Sequence, residues 1–441
     1  MQTTSACRLV IVLAVVAAFP AWRTDAGDVT DVRPLVAAAR RAGLRVLESR
    51  HLALVTDRPD RPGDGVADLP RIFDEAFACW CRHYGLDAGA VGAWRGLGCL
   101  VVDREKFRAA GLLPDTVAAF QNGFCAGNRF WVADQSNPTY RRHLLLHEGV
   151  HALTITVRDL HTPEWSTEGI AEYLATHRLD TGANGVPRFE PTPIPARKSD
   201  VEQLGRIEHL RAAAAAGRTL SLDQVFAAPV GHQEIAAYAA SWAAVAFLAG
   251  HPAHARVFAA VERGPLDGRL TERLAAQPGW DAARAARDHA AFVAELDYGY
   301  DFARHVIDWS PGGPLTGRRR FAVAADRGWQ NTLAAASAGN RHRFAATGRV
   351  EIGRLAGTDG ETTVLESEAD GISLRWYRGR PIGRLLVAQW IDDETGFRVL
   401  ATGAGGEFTA AVTGPLFVKI NESPGDLADN RGRLEVELQP R

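Results

Sequence analysis

Hydrophobic positions along the 441-residue chain change rhythm twice. In the first part, helical and strand spacings are mixed. Residues 33–50 read as a helix running into Leu44–Thr56, which alternates like strands, and residues 68–85 read as a second helix. Gly98–Asp103 and Arg129–Asp134 read as short buried strands. From 139 to about 300 apolar residues recur at helical spacing. The Pro-rich stretch Val186–Pro195 interrupts this run as a connector or as a wall of a cleft. After Ser310-Pro-Gly-Gly-Pro314, short alternating runs follow turn signals: Arg343–Ile352, Gly371–Tyr377, Arg384–Ile391, Gly406–Val412, Gly414–Ile420 and Gly432–Leu438. Strands at this spacing predict a β-sandwich. The expected fold class is α+β. A small mixed sheet with a helical part fills residues 27–308, and an antiparallel β-sandwich fills residues 315–441.

The N-terminus adds a compartment. Arg8 precedes the apolar run Leu9–Phe19, and small residues follow. This predicts a secretory signal peptide over residues 1–26, cut after Ala26 or Ala21, and hence a secreted or periplasmic protein. No later stretch has the length to span a membrane. Four cysteines remain beyond the leader: Cys79, Cys81, Cys99 and Cys125. In an exported chain they suggest two disulfides, with Cys79 and Cys81 each reaching Cys99 or Cys125. Four zinc thiolates or free buried thiols are the alternatives. With 50 basic and 52 acidic residues the net charge is −2, so nothing calls for nucleic acid or an anionic membrane.

The chemistry sits in Tyr140–Thr154, which has helical apolar spacing and contains His147-Glu148-Gly149-Val150-His151. On a helix, His147 and His151 stand on one face, four residues apart. Two imidazoles so placed can hold Zn²⁺, and Glu148 can reach a water beside it. Seventeen residues further on, Glu168 and Glu172 lie in a second helical run, Pro163–Ala175. Packed antiparallel to the first helix, this run would deliver Glu168 as the third zinc ligand. Glu172 would then sit one turn behind, holding a ligand histidine by its other nitrogen. His143 precedes His147 by one turn on the same face and reads as a surface or capping histidine, with a site-lining role as the alternative. In Ile235–Leu248, Tyr238 is a candidate donor to a developing oxyanion, and a core aromatic otherwise.

HEGVH followed by Trp165-Ser-Thr-Glu-Gly-Ile-Ala-Glu-Tyr173 resembles the gluzincin metallopeptidases. The wider stretch adds Arg50–Asp57, Leu69–Asp74, Phe107–Pro114 and Tyr140–Glu148. It is similar to a peptidase-MA-like family of secreted bacterial proteins of unknown function, common in Planctomycetes. The resemblance covers roughly residues 30–300. It implies zinc on His147, His151 and Glu168, with Glu148 as general base, and hydrolysis of peptide bonds in a peptide or protein substrate. It also implies that a strand edge within residues 123–134 can pair with that substrate. An endopeptidase is expected.

The tail has its own resemblance. Trp329–Thr332, Ala346–Val350 and above all Leu416–Gly432 look like the β-sandwich of a bacterial galactose-binding lectin. The resemblance implies a Ca²⁺ held by Glu422, Asp426, Asp429 and Asn430, and a bound carbohydrate. Two positions depart from the lectin pattern: Glu422 stands in place of an Asp, and Arg431 brings a positive charge to the loop. The lectin's aromatic ligand has no counterpart near Ile352-Gly353. The expected function is a secreted zinc metallopeptidase. The alternative is a non-enzymatic carbohydrate-binding or surface protein on a metal-stabilised scaffold. Glu148 separates them, because a structural zinc has no use for that carboxylate.

Overall fold

Leu52–Thr56 and Gly96–Val101 are strands in which every residue is buried, so both faces of their sheet must be covered. The computed structural model describes residues 29–441 apart from 88, 116, 118, 119, 182–184, 203, 229–234 and 357–360. The expected leader, residues 1–26, lies outside the described residues. The first part runs α1 (Arg33–Arg41), β1 (Arg45–Glu48), β2 (Leu52–Thr56), α2 (Leu69–Tyr84), β3 (Gly96–Val101), α3 (Arg104–Ala109), β4 (Gly123–Ala126) and β5 (Arg129–Ala133). Its mixed sheet has the order β1-β2-β3-β5-β4. β2, β3 and β5 are parallel, and the two edge strands are antiparallel to their neighbours.

One face of this sheet packs Ala53, Val55, Leu97, Cys99 and Trp131 against Val36 and Ala39 of α1 and Phe107 of α3. The other face packs Leu52, Leu54, Leu100, Phe130 and Val132 against α2 and the helices that follow. The expected disulfides are not found among the described residues: Cys79, Cys81, Cys99 and Cys125 are free thiols. Cys81 and Cys99 belong to separate cores on opposite faces of the sheet.

The helical part comprises α4 (Pro138–Arg158), α5 (Glu164–Ala175), β6 (His177–Thr181), β7 (Pro187–Pro191), α6 (Arg206–Ala215), α7 (Leu222–Phe226), α8 (Ile235–Gly250), α9 (Ala255–Glu262), α10 (Leu270–Ala275) and α11 (Ala282–Glu295). α4 starts on a capped turn, with Pro138 in its first turn and Asn137 Oδ1 accepting from the Tyr140 N–H at 2.9 Å. It is buried without a break from Arg141 to Thr154. The Pro-rich stretch differs from expectation, since Pro187–Pro191 is a strand paired with β6. The Phe189 N–H donates to Glu75 Oε2 of α2 at 2.7 Å, which ties that strand down. Among the described residues no single helix is long and apolar enough to cross a membrane.

The chain then forms β8 (Gly313–Pro314), β9 (Arg319–Ala324), β10 (Gln330–Ala336), β11 (Arg341–Thr347), β12 (Val350–Ala356), β13 (Thr362–Ser367), β14 (Asp370–Tyr377), β15 (Arg380–Trp390), β16 (Phe397–Thr402), β17 (Gly405–Thr409), β18 (Gly414–Ile420) and β19 (Arg431–Pro440). The run 343–352, expected as one strand, is two. Gly348, at φ 107°, turns the chain between β11 and β12. One sheet has the order β14-β15-β18-β10-β8, with β16 on β15. The other has the order β13-β12-β19-β11-β17, with β9 on β19. Val387, Val418 and Ala334 of the first sheet meet Phe344, Ile352 and Val436 of the second in one core, which makes a β-sandwich.

The sandwich is fixed to the helical part. Trp309, Trp329, Trp390, Phe397 and Phe417 cluster with Ala291 of α11. Beside them Lys419 Nζ lies 2.5 Å from Glu295 Oε2, and Arg378 Nη1 lies 3.0 Å from Glu295 Oε1.

Candidate metal centre

α4 and α5 meet along the faces that carry the acidic and imidazole side chains. Glu168 lies near His147 and His151, and Glu172 near His143 and His147, so the two helices run antiparallel as expected. Each helix has a glycine next to its motif glutamate. A Cβ at Gly149 would stand 2.4 Å from Phe73 of α2, and one at Gly169 would stand 2.5 Å from the Ser241 carbonyl of α8. The glycines admit the neighbouring helices, and the glutamates beside them face the centre.

Three donor atoms converge. His147 Nε2 and His151 Nε2 are 3.1 Å apart, and Glu168 Oε2 lies 3.2 Å from the first and 3.5 Å from the second. A tetrahedral zinc ion about 2.0–2.1 Å from each of three corners holds them roughly 3.3–3.4 Å apart. Two imidazoles and one carboxylate are also a donor set that zinc accepts. The residues therefore fit the ion as three of its ligands. Burial opposes a charge on His147, but Glu168 and Glu172 outweigh it and raise its pKa well above the usual range. The pocket favours a cation there, whether proton or metal.

Glu148 is buried on the same turn, and burial raises its pKa against the pull of His147 and His151. The sheet-edge strand β4 lies against it, so that a Cβ at Gly123 would fall 2.2 Å from Glu148 Oε1. Tyr238 projects from the first turn of α8. Glu168, then burial and Glu148, push its hydroxyl pKa far above the ordinary value, so it keeps its proton.

Glu172 is 2 % exposed and makes more contacts than its sequence position suggested. Its Oε1 lies 3.3 Å from His147 Nδ1, off the line of a hydrogen bond. Its Oε2 lies 3.1 Å from His143 Nε2. Arg206, the first residue of α6, donates to both oxygens, Nε to Oε2 at 3.0 Å and Nη2 to Oε1 at 2.6 Å. His143 is thus no surface residue but is buried at 1 % exposure, in a row with the two motif histidines. Its i−4 spacing from His147 could have placed it there. No sequence signal marks Arg206 or Gly123.

In the sandwich, the candidate calcium residues follow β18. Glu422 is buried, with Oε1 accepting from the Ser423 N–H at 3.1 Å and Oε2 without a hydrogen-bond partner among the described residues. Asn430 is fully buried. Its Nδ2 donates to the Ala325 carbonyl at 3.1 Å, and its Oδ1 has no hydrogen-bond partner among the described residues. Burial raises the Glu422 pKa to about 7, and Asp426 and Asp429 add to the rise. Arg375 of β14 supplies a cation at the rim, 3.5 Å from Asp426 Oδ2 and 3.8 Å from Glu422 Oε1. Arg431 turns away to the carbonyls of Ala428 and Asn430. Two buried oxygens are left without a hydrogen bond among the described residues, but the carboxylates of Glu422, Asp426 and Asp429 do not converge as the donor atoms of the α4–α5 centre do.

A family model described as "Protein of unknown function (DUF1570)" matches residues 143–267, under half of the chain. That span contains every residue of the α4–α5 centre, Arg206 and Tyr238. No curated protein matches the chain. Among solved structures, one titled "EclA N-terminal domain; PllA-like lectin" matches at 17 % identity and a TM-score of 0.21. The match covers 28 % of this chain and 95 % of that one.

Proposed function

We propose that the chain is a zinc-dependent hydrolase of the gluzincin type that cleaves peptide bonds. One observation carries this reading. The donor atoms of His147, His151 and Glu168 converge at 3.1–3.5 Å while Glu148 stands free of that triangle, against a sheet edge. When bound, zinc supplies a Lewis acid that brings the pKa of water toward neutrality. Glu148, made more basic by burial, accepts the proton of the attacking water and returns it to the leaving amine. Tyr238, kept protonated by the surrounding carboxylates, donates to the oxyanion as it forms. Among the described residues β4 is paired on one side only, and its other edge can receive an extended peptide as an added strand.

The test is hydrolysis of a peptide library by zinc-loaded, chelated and Glu148→Gln protein, with metal content measured in each. Cleavage by the loaded wild type alone is expected. Equal cleavage by Glu148→Gln with its zinc in place overturns the mechanism.

The unpaired oxygens of Glu422 and Asn430 favour a second reading for the sandwich, a Ca²⁺ site. Calorimetry of the full chain with Ca²⁺ should show heat that Glu422→Gln abolishes, and no heat at all removes this reading.

A further inference from the structure

Two donor clusters overlap at His147. The first is His147, His151 and Glu168, and the second is His143, His147 and Glu172, whose donor atoms also lie within 4.8 Å of one another. Both are buried deeply enough to hold an ion, but they differ in what already occupies them. Arg206 lays its fork across Glu172, with one N–H on each carboxylate oxygen. A bidentate guanidinium–carboxylate pair fixes the plane of the carboxylate as well as its charge. The remaining lone pairs of Glu172 face His143 Nε2 and His147 Nδ1. The guanidinium is therefore the cation of the second cluster, and both oxygens of Glu172 are already engaged by it.

We propose that Arg206 is a positioning residue of the metal centre. It clamps Glu172 so that its carboxylate stays beside the Nδ1 face of His147, 3.3 Å away, and leaves Nε2 to the metal, and it limits these helices to one ion. This rests on the zinc reading above and adds a residue that makes no contact with metal or substrate. α6 enters with Gly205 in the left-handed region, at φ 62°, and Arg206 follows at once as the first helical residue. The clamp is thus set by the turn into α6, a separate element from the two helices that hold the ligands. Outer partners of ligand histidines tune metal affinity by about 10–100-fold.

The test is a double-mutant cycle on the full chain. Zinc affinity is read by competition with a chromogenic chelator, and the visible spectrum of the Co²⁺-substituted protein is recorded alongside. Arg206→Met and Glu172→Gln should each weaken zinc by about 10–100-fold and shift the Co²⁺ bands. The double variant should bind no worse than Glu172→Gln alone, because Arg206 acts only through Glu172. Arg206→Lys keeps the charge without the fork and should recover part of the affinity. If Arg206→Met fails to fold, Arg206→Lys against wild type decides. Unchanged affinity and spectrum in the Arg206 variants, or fully additive losses, overturn the clamp. Two zinc ions per wild-type chain bound at these helices also overturn it. A wild-type chain that takes up no zinc fails the metal centre itself, before the clamp is reached.

Discussion

Glu148 is held by what surrounds it more than by any bond of its own. Gly123 matters for that reason, since the space a Cβ would fill is taken by the Glu148 carboxylate at 2.2 Å. Gly123→Ala must push either the carboxylate or the strand aside. A misplacement of about 1 Å in a reacting group costs on the order of 10²-fold in rate. The expected result is hydrolysis reduced on that order with zinc content unchanged. Full activity would show that Glu148 needs no such support. Tyr238 is a separate case at the same scale. If its hydroxyl donates to the oxyanion, Tyr238→Phe should lower kcat by about 10²-fold and leave KM and zinc affinity near wild type. A core aromatic would instead show its loss in thermal stability, with kcat intact.

At the scale of elements, two helices position the centre and glycines set how closely others back them. Gly169 of α5 admits the Ser241 carbonyl and the Val245 side chain of α8, at 2.5 and 2.7 Å from where a Cβ would stand. Gly169→Ala overpacks this crossing. Overpacking costs roughly 1–3 kcal/mol, to be read in urea melts of the metal-free chain. Zinc affinity should fall with it, because α5 carries Glu168. A stable variant with normal affinity would mean that α8 can yield. The convergence of the candidate donors was legible in the sequence because it is local to each helix. His147 and His151, like Glu168 and Glu172, are four apart, and helical periodicity alone puts each pair on one face. What was not legible lies between elements. Arg206 reaches Glu172 from across the β6–β7 hairpin, and Gly123 meets Glu148 from another strand. Cys81 and Cys99 lie on opposite faces of the sheet, a placement their neighbours in sequence do not fix. The left-handed turn at Gly348 likewise split a run that alternation alone joined.

At the scale of the molecule, the sandwich and the helical part share a polar lock inside an aromatic cluster. Burial alone would raise the Glu295 carboxyl, but Lys419 and Arg378 outweigh it and hold its pKa at about 2. The unfolded chain releases that proton near the ordinary carboxylate value of about 4.3. A pKa lowered on folding contributes stability that is full above the unfolded value and is lost as pH falls toward the folded one. The lock should therefore act at pH 6 and fade between about pH 4.5 and pH 2. Lys419→Met leaves Glu295 buried with Arg378 as its one cation among these partners. Removing one partner of a buried pair costs about 3 kcal/mol. Urea melts of wild type and Lys419→Met at pH 6 and pH 3 test this by difference, and the acid loss of the histidine centre, common to both, cancels. The gap should be near the full value at pH 6 and clearly smaller at pH 3. A gap that stays constant would assign the loss to the Lys419 stem, which packs its ammonium 4.7 Å from the Trp329 ring, and not to the charge on Glu295.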